Sequence, residues 1–102
     1  MPILTDNTNE IPIIKIQGEL DIKTALSFKT EIINLILEGK FEIKSDLSEL
    51  DHIDSAGIGV FLSTTLSLNK LGGSFTIINP QMHIKDLLDS TQVIKILNVE
   101  EV

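Results

Sequence analysis

No cysteine occurs among the 102 residues, nor any arginine, tryptophan or tyrosine. Without cysteine there is neither a disulfide framework nor a thiolate metal site. Without arginine there is no planar fork to grip a phosphate or a base edge at two points, and all eight basic residues are lysines. Fifteen acids outweigh them, for a net charge of −7. That balance argues against direct nucleic-acid binding, where neutralisation of phosphates dominates affinity. Aromatics are scarce as well, at 4% against 42% hydrophobic residues. The core therefore has to be built from isoleucine and leucine around four phenylalanines.

No apolar run approaches the roughly 20 residues that span a bilayer. Met1-Pro2-Ile3-Leu4-Thr5-Asp6 lacks the basic flank and long apolar stretch of a signal peptide. The expectation is a single cytoplasmic domain over residues 1–102, near the commonest domain size. No repeat or low-complexity tract divides it.

Element signals follow in order. Ile3-Leu4-Thr5 reads as a short strand, Asp6-Asn7-Thr8-Asn9 as a polar turn, and Ile11 to Gln17 as the hairpin partner. Gly18-Glu19-Leu20-Asp21 reads as a loop into a helix from about Ile22 to Leu37. Asp21 is its N-cap, and Gly39 stands just past its end. Ile22, Ala25, Leu26, Ile32, Ile33 and Ile36 are the expected buried stripe. Phe41 to Leu47 reads as a strand, and Glu49–Asp54 as a loop into a second helix ending near Lys70. Ser74 to Asn79 is a strand and Gln81 to Leu88 a short helix. Val93 to Leu97 fits a last strand or a helical turn. Strands separated by helices pair in parallel, so both helix-entry loops belong at one end of the sheet. Glu19, Asp21, Asp46, Glu49, Asp51 and Asp54 make that end acidic.

The most informative stretch is Asp54-Ser55-Ala56-Gly57-Ile58-Gly59. Ser55 stands where the acidic loop turns into a helix-periodic run of Ile58, Phe61, Leu62, Leu66 and Leu68. It is expected as an N-cap, its hydroxyl aimed at the free N–H groups of the first turn. A phosphoryl group there would meet the same donors and the positive end of the helix dipole. Gly57 and Gly59 carry no side chain to obstruct an approaching protein.

Other chemistries fail on spacing. Gly57-x-Gly59 is followed by Leu62 where a dinucleotide fingerprint has its third glycine, and no Walker-type Gly-Lys-Ser/Thr occurs. A hydrolase elbow needs glycine two residues before the serine, where Ile53 stands. His52 and His83 read as surface histidines, and two lone histidines make no metal site. The Ser63, Thr64, Thr65 and Ser67 cluster reads as the exposed face of the second helix. No enzyme, cofactor or metal is implied.

Gly18-Glu19-Leu20-Asp21, Asp46-Leu47-Ser48 and Ile53-Asp54-Ser55-Ala56-Gly57-Ile58-Gly59, with Gly72-Gly73 before a strand and the Leu87-Leu88 to Ile94-Lys95-Ile96 segment, resemble the bacterial anti-sigma factor antagonists, the stand-alone STAS domains. The resemblance spans nearly the whole chain. It implies an α/β, STAS-like fold: a mixed sheet of about four to five strands with helices packed mainly on one face. It also implies partner switching. Such a protein, unphosphorylated, binds an anti-sigma factor that is a serine kinase of the GHKL type, and so releases a sigma factor. Phosphorylation at the position of Ser55 ends that binding, and a PPM-type serine phosphatase restores it. The resemblance places Glu19, Asp21, Asp54, Ala56, Gly57, Ile58 and Gly59 on the partner-binding face, with neither nucleic-acid contact nor membrane insertion. Ala56 stands where many members have a second serine. The chain stops at Val99-Glu100-Glu101-Val102, where relatives usually continue into a final helix. The alternative reading is a STAS subunit of another assembly, a lipid-transport ABC complex or a stress-signalling scaffold.

Overall fold

The computed structural model describes residues 3–7 and 10–101. Thr8 and Asn9 of the expected turn, and Met1, Pro2 and Val102, lie outside the described residues. β1 (Ile3–Asp6) and β2 (Ile13–Ile16) form the expected antiparallel hairpin, with Ile3 opposite Ile16. They are followed by β3 (Gly18–Leu20), α1 (Ile22–Leu37), β4 (Glu42–Asp46) and β5 (Leu50–Ile53). Next come α2 (Ser55–Lys70), β6 (Ser74–Ile78), α3 (Met82–Ser90), a 3-10 turn at Val93–Lys95, and β7 (Asn98–Glu100).

Five strands make one mixed sheet in the order β1-β2-β4-β6-β7, with every pair after the hairpin parallel. Alternation along β2, β4 and the first four residues of β6 gives the sheet one covered face and one more open face. Ile14, Ile16, Ile43, Ser45, Phe75 and Ile77 are fully buried, while Lys15, Lys44, Asp46 and Thr76 between them stay partly open to solvent. The Ser45 hydroxyl is tolerated inside because it donates to the Ile14 carbonyl at 3.0 Å. Phe28 of α1, Phe61 of α2 and Phe75 of β6 meet in the centre, with ring centroids 5.6–5.8 Å apart.

α1 has the bounds its sequence signals indicate. Asp21 accepts from the backbone N–H groups of Lys23 (3.0 Å) and Thr24 (3.1 Å), and Thr24 Oγ1 accepts from the Asp21 N–H at 2.8 Å. That is a reciprocal capping box with threonine in the usual glutamate position. Gly39 ends the helix at φ +83°, and the Lys40 N–H returns to the Leu35 carbonyl at 2.9 Å.

Three expectations are corrected. The segments read as helix-entry loops, Gly18–Asp21 and Glu49–Asp54, are mostly strand: β3 and β5 pair in parallel as a separate two-stranded sheet. The buried stripe of α1 is Ala25, Phe28, Ile32 and Leu35, whereas Ile22, Leu26 and Ile33 are 68%, 63% and 46% exposed. In α2, Thr64 and Thr65 are buried, not exposed, and Thr65 Oγ1 donates back to the Phe61 carbonyl at 3.0 Å. Leu66 points outward in their place. Ser63 and Ser67 are exposed as expected.

Candidate functional site

β3 and β5 end side by side, Leu20 opposite Ile53, with the Asp54 N–H donating to the Leu20 carbonyl at 3.3 Å. Each strand then hands over to a helix through an aspartate. Asp21 (φ −106°, ψ −169°) and Asp54 (φ −109°, ψ −173°) adopt nearly the same extended conformation and cap α1 and α2 respectively. The two helix N-termini therefore open at one end of the molecule, as the topology argument expected.

The cap of α2 is Asp54 and not Ser55. Asp54 Oδ1 accepts from the N–H groups of Ala56 (2.9 Å) and Gly57 (3.1 Å). The pairing of β5 with β3 holds Asp54 extended at the end of the strand, so its side chain takes the orphan donors and Ser55 becomes the first helical residue. Its side chain is exposed. The capping energy sits accordingly. Asp54→Ala should cost about 0.5–2 kcal/mol, while Ser55→Ala should stay within about 0.5 kcal/mol of wild type. Paired urea melts measure both, and equal losses would restore Ser55 as the cap.

The two glycines differ in role. Gly59 is exposed, and a β-carbon there would meet nothing within 4 Å. Gly57 is buried; a β-carbon would lie 2.7 Å from the Leu20 carbonyl oxygen and 2.7 Å from Ile53 Cγ1. Gly57 thus lets α2 lie directly on the β3–β5 pair, and does not clear the surface for an approaching protein. Ala56 and Ile58 are half-buried, Ile58 packing against the core.

Several acids at this end are tied to backbone or side chains nearby. Thr24 hydrogen bonds draw the Asp21 carboxyl below the usual carboxylate range, the backbone N–H contributing most. Because its folded value is lowered, the stability Asp21 contributes is present above the ordinary carboxylate range and is lost as pH falls through the lowered value. Glu49 pairs with Lys15 and accepts from Gln17 Nε2 at 3.2 Å. The Lys15 hydrogen bond lowers the Glu49 carboxyl and raises the lysine in return. Asp46 Oδ1 accepts from the Ser48 N–H at 2.9 Å, and Asp51 Oδ1 from Gln81 Nε2 at 3.1 Å. Glu19 is exposed on β3, opposite His52 of β5. His83 Nε2–H donates to the Asp51 carbonyl at 2.6 Å, tying α3 to the edge of β5. Among the described residues no three His, Cys, Asp or Glu side chains gather as a metal site, and no helix is long and apolar enough to cross a membrane.

Sequence reasoning overlooked β5 because Leu50 and Ile53 are its buried residues, with Asp51 and His52 exposed between them. That spacing of three breaks the two-residue alternation by which a strand is recognised.

Fold and site together describe a mixed-sheet α/β module, covered on one face, that presents a serine hydroxyl at the start of a helix. The chain belongs to the STAS domain family, whose model matches residues 2–102. Over 93 residues it is 29% identical to the anti-sigma-B factor antagonist of Bacillus subtilis (strain 168), covering 91% of this chain and 84% of that protein. The fold is shared with the Thermotoga maritima protein TM1081, at a TM-score of 0.87 and 24% identity over 98% of this chain and 86% of the other. It is shared also with the anti-sigma factor antagonist SpoIIAA in its unphosphorylated form, at a TM-score of 0.78 and 20% identity over 98% and 88%. SpoIIAA has been solved in a phosphorylated form too.

Proposed function

We propose that this chain is an anti-sigma factor antagonist of the cytoplasm. Unphosphorylated, it binds an anti-sigma factor that is also a GHKL-type serine kinase and so frees a sigma factor. Phosphorylation of Ser55 ends the binding, and a PPM-type phosphatase restores it. The observation that carries this reading is the exposed Ser55 side chain, opening α2 directly after its capping residue Asp54, at the end of the molecule where Asp21 caps α1. The names of its relatives support it. Glu19, Asp21, Asp54, Ala56, Ile58 and Gly59 form the partner face, and Gly57 sets its shape from beneath.

The capping arrangement suggests how the switch works. A phosphoryl group adds about −1.5 to −2 charges. The donors it would seek, the N–H groups of Ala56 and Gly57, are already held by Asp54. The added charge therefore stays at the surface of an acidic rim, and a docking partner would have to desolvate it.

Incubation with the cognate kinase and ATP, followed by peptide mapping, should place one phosphate on Ser55. A phosphate on Ser63, Ser67 or another hydroxyl, with Ser55 bare, would sink the proposal. By calorimetry, Ser55→Ala should bind the kinase as wild type does. Ser55→Asp should bind more weakly, though less weakly than the phosphorylated protein, because it adds only one charge. Equal affinities for the two variants would contradict the charge switch.

A further inference from the structure

α1 carries two apolar stripes. The inner one is buried, and the outer one runs along Ile22, Leu26, Ile33 and Leu37, all exposed to between 46% and 79%. Lys29 completes the first three of these at i, i+4, i+7 and i+11, the spacing of a helix-packing seam. Beside it lies a groove of about 80 Å³, walled by Lys29, Ile33 and Ile36 on α1 and by Ser63 and Ser67 on α2. The small α2 side chains leave room for another backbone to come close.

Charge says what fits. The chain is strongly acidic, yet α1 and α2 together hold three lysines and one acid. That acid, Glu31, is turned to β1, where it accepts from Thr5 Oγ1 at 2.8 Å. Lys29 stands in the groove wall, and Lys70 follows Ser63 and Ser67 on the same face of α2 at helical spacing. Lys29 is also the eighth of the sixteen residues of α1, its midpoint. Two copies packing these faces about a two-fold axis would set lysine against lysine, which disfavours a second copy.

We propose that the α1–α2 groove is a docking site for an amphipathic helix of a partner protein. That helix lays aliphatic side chains along Ile22, Leu26 and Ile33 and sets a carboxylate against Lys29. It is a helix-in-groove contact, and it goes beyond the Ser55 switch because it needs no modified serine.

The test uses two synthetic amphipathic helical peptides about as long as α1, identical except for a central glutamate in one and lysine in the other. Each is titrated into the isotope-labelled full chain. Amide shifts should concentrate on residues 22–37 and 56–70, and the glutamate peptide should bind about fivefold more tightly, one exposed ion pair replacing a like-charge contact. In Lys29→Glu the order should invert, and Leu26→Asp should weaken both peptides. Both substituted side chains are exposed, so unchanged circular dichroism is the expected control. Ser55→Asp should leave the preference intact. The proposal is overturned by equal affinities, by an order that Lys29→Glu does not change, by shifts on the open sheet face, or by no binding. A wild-type dimer dispersed by Leu26→Asp in sedimentation would make a second copy the occupant and overturn it too.

Discussion

Phe28→Ala should lower the unfolding free energy by about 3–5 kcal/mol, out of the roughly 5–15 kcal/mol typical of a domain. Phe28 is fully buried and stands edge-on to both Phe61 and Phe75, at centroid distances of 5.6 and 5.8 Å. Its removal leaves a cavity where α1, α2 and β6 converge, and it deletes two aromatic pairings at once. The fourth phenylalanine, Phe41, is 37% exposed, so no spare phenylalanine ring stands in the core to fill the space. Urea melts with the slope held constant provide the measure. A loss below about 1 kcal/mol would mean that the layer can collapse onto the gap, and that the phenylalanine cluster is not the keystone of the packing.

Gly57→Val should be nearly as damaging, at about 3 kcal/mol, the upper end of ordinary overpacking penalties. The first added carbon already falls 2.7 Å from the Leu20 carbonyl oxygen, 2.7 Å from Ile53 Cγ1 and 2.9 Å from Leu20 Cγ. One of these is backbone, and the Leu20 carbonyl also receives the Asp54 N–H, so relief requires the start of α2 to lift from β3 and β5. Ser55 is carried with it. Amide shifts at residues 53–58 should therefore accompany the loss of stability. Gly59→Ala, two residues on with open space around it, should be neutral or stabilising by up to about 1 kcal/mol, the gain in helix propensity. If the two glycines tolerated side chains equally, the close approach of α2 to the strand pair would be wrong.

Local chemistry explains where the sequence was legible. Asp21 followed by Thr24 starts α1, and Gly39 stops it, because capping and left-handed termination depend on residues within a few positions of each other. The hairpin, β4, β6 and the end of α2 at Lys70 were readable from local pattern as well. That the two helix starts share one end of the molecule was readable too, from strand and helix order, although the segments leading into them are strands and not loops. The cap of α2 was not: Ser55 was expected there, and Asp54 holds it. Both are good capping residues, and the pairing of β5 with β3 settles it by bringing the Asp54 N–H to the Leu20 carbonyl and holding Asp54 extended.

Composition and local pattern by themselves determined an aromatic-poor aliphatic core, the order of the main strands and helices, and a serine at the mouth of the second helix. Local pattern picked out Ala25 and Ile32 as buried in α1, but tertiary structure decided the rest of that stripe. A helix with aliphatic side chains on two faces, as in α1, has no periodicity that distinguishes the buried stripe from the exposed one; the sheet chooses, and it takes Phe28 and Leu35 while leaving Ile22 and Leu26 in solvent. It likewise made Gly57 a packing residue and Gly59 a surface one. A glycine's role is set by what lies beyond its missing side chain, and that neighbour comes from elsewhere in the chain.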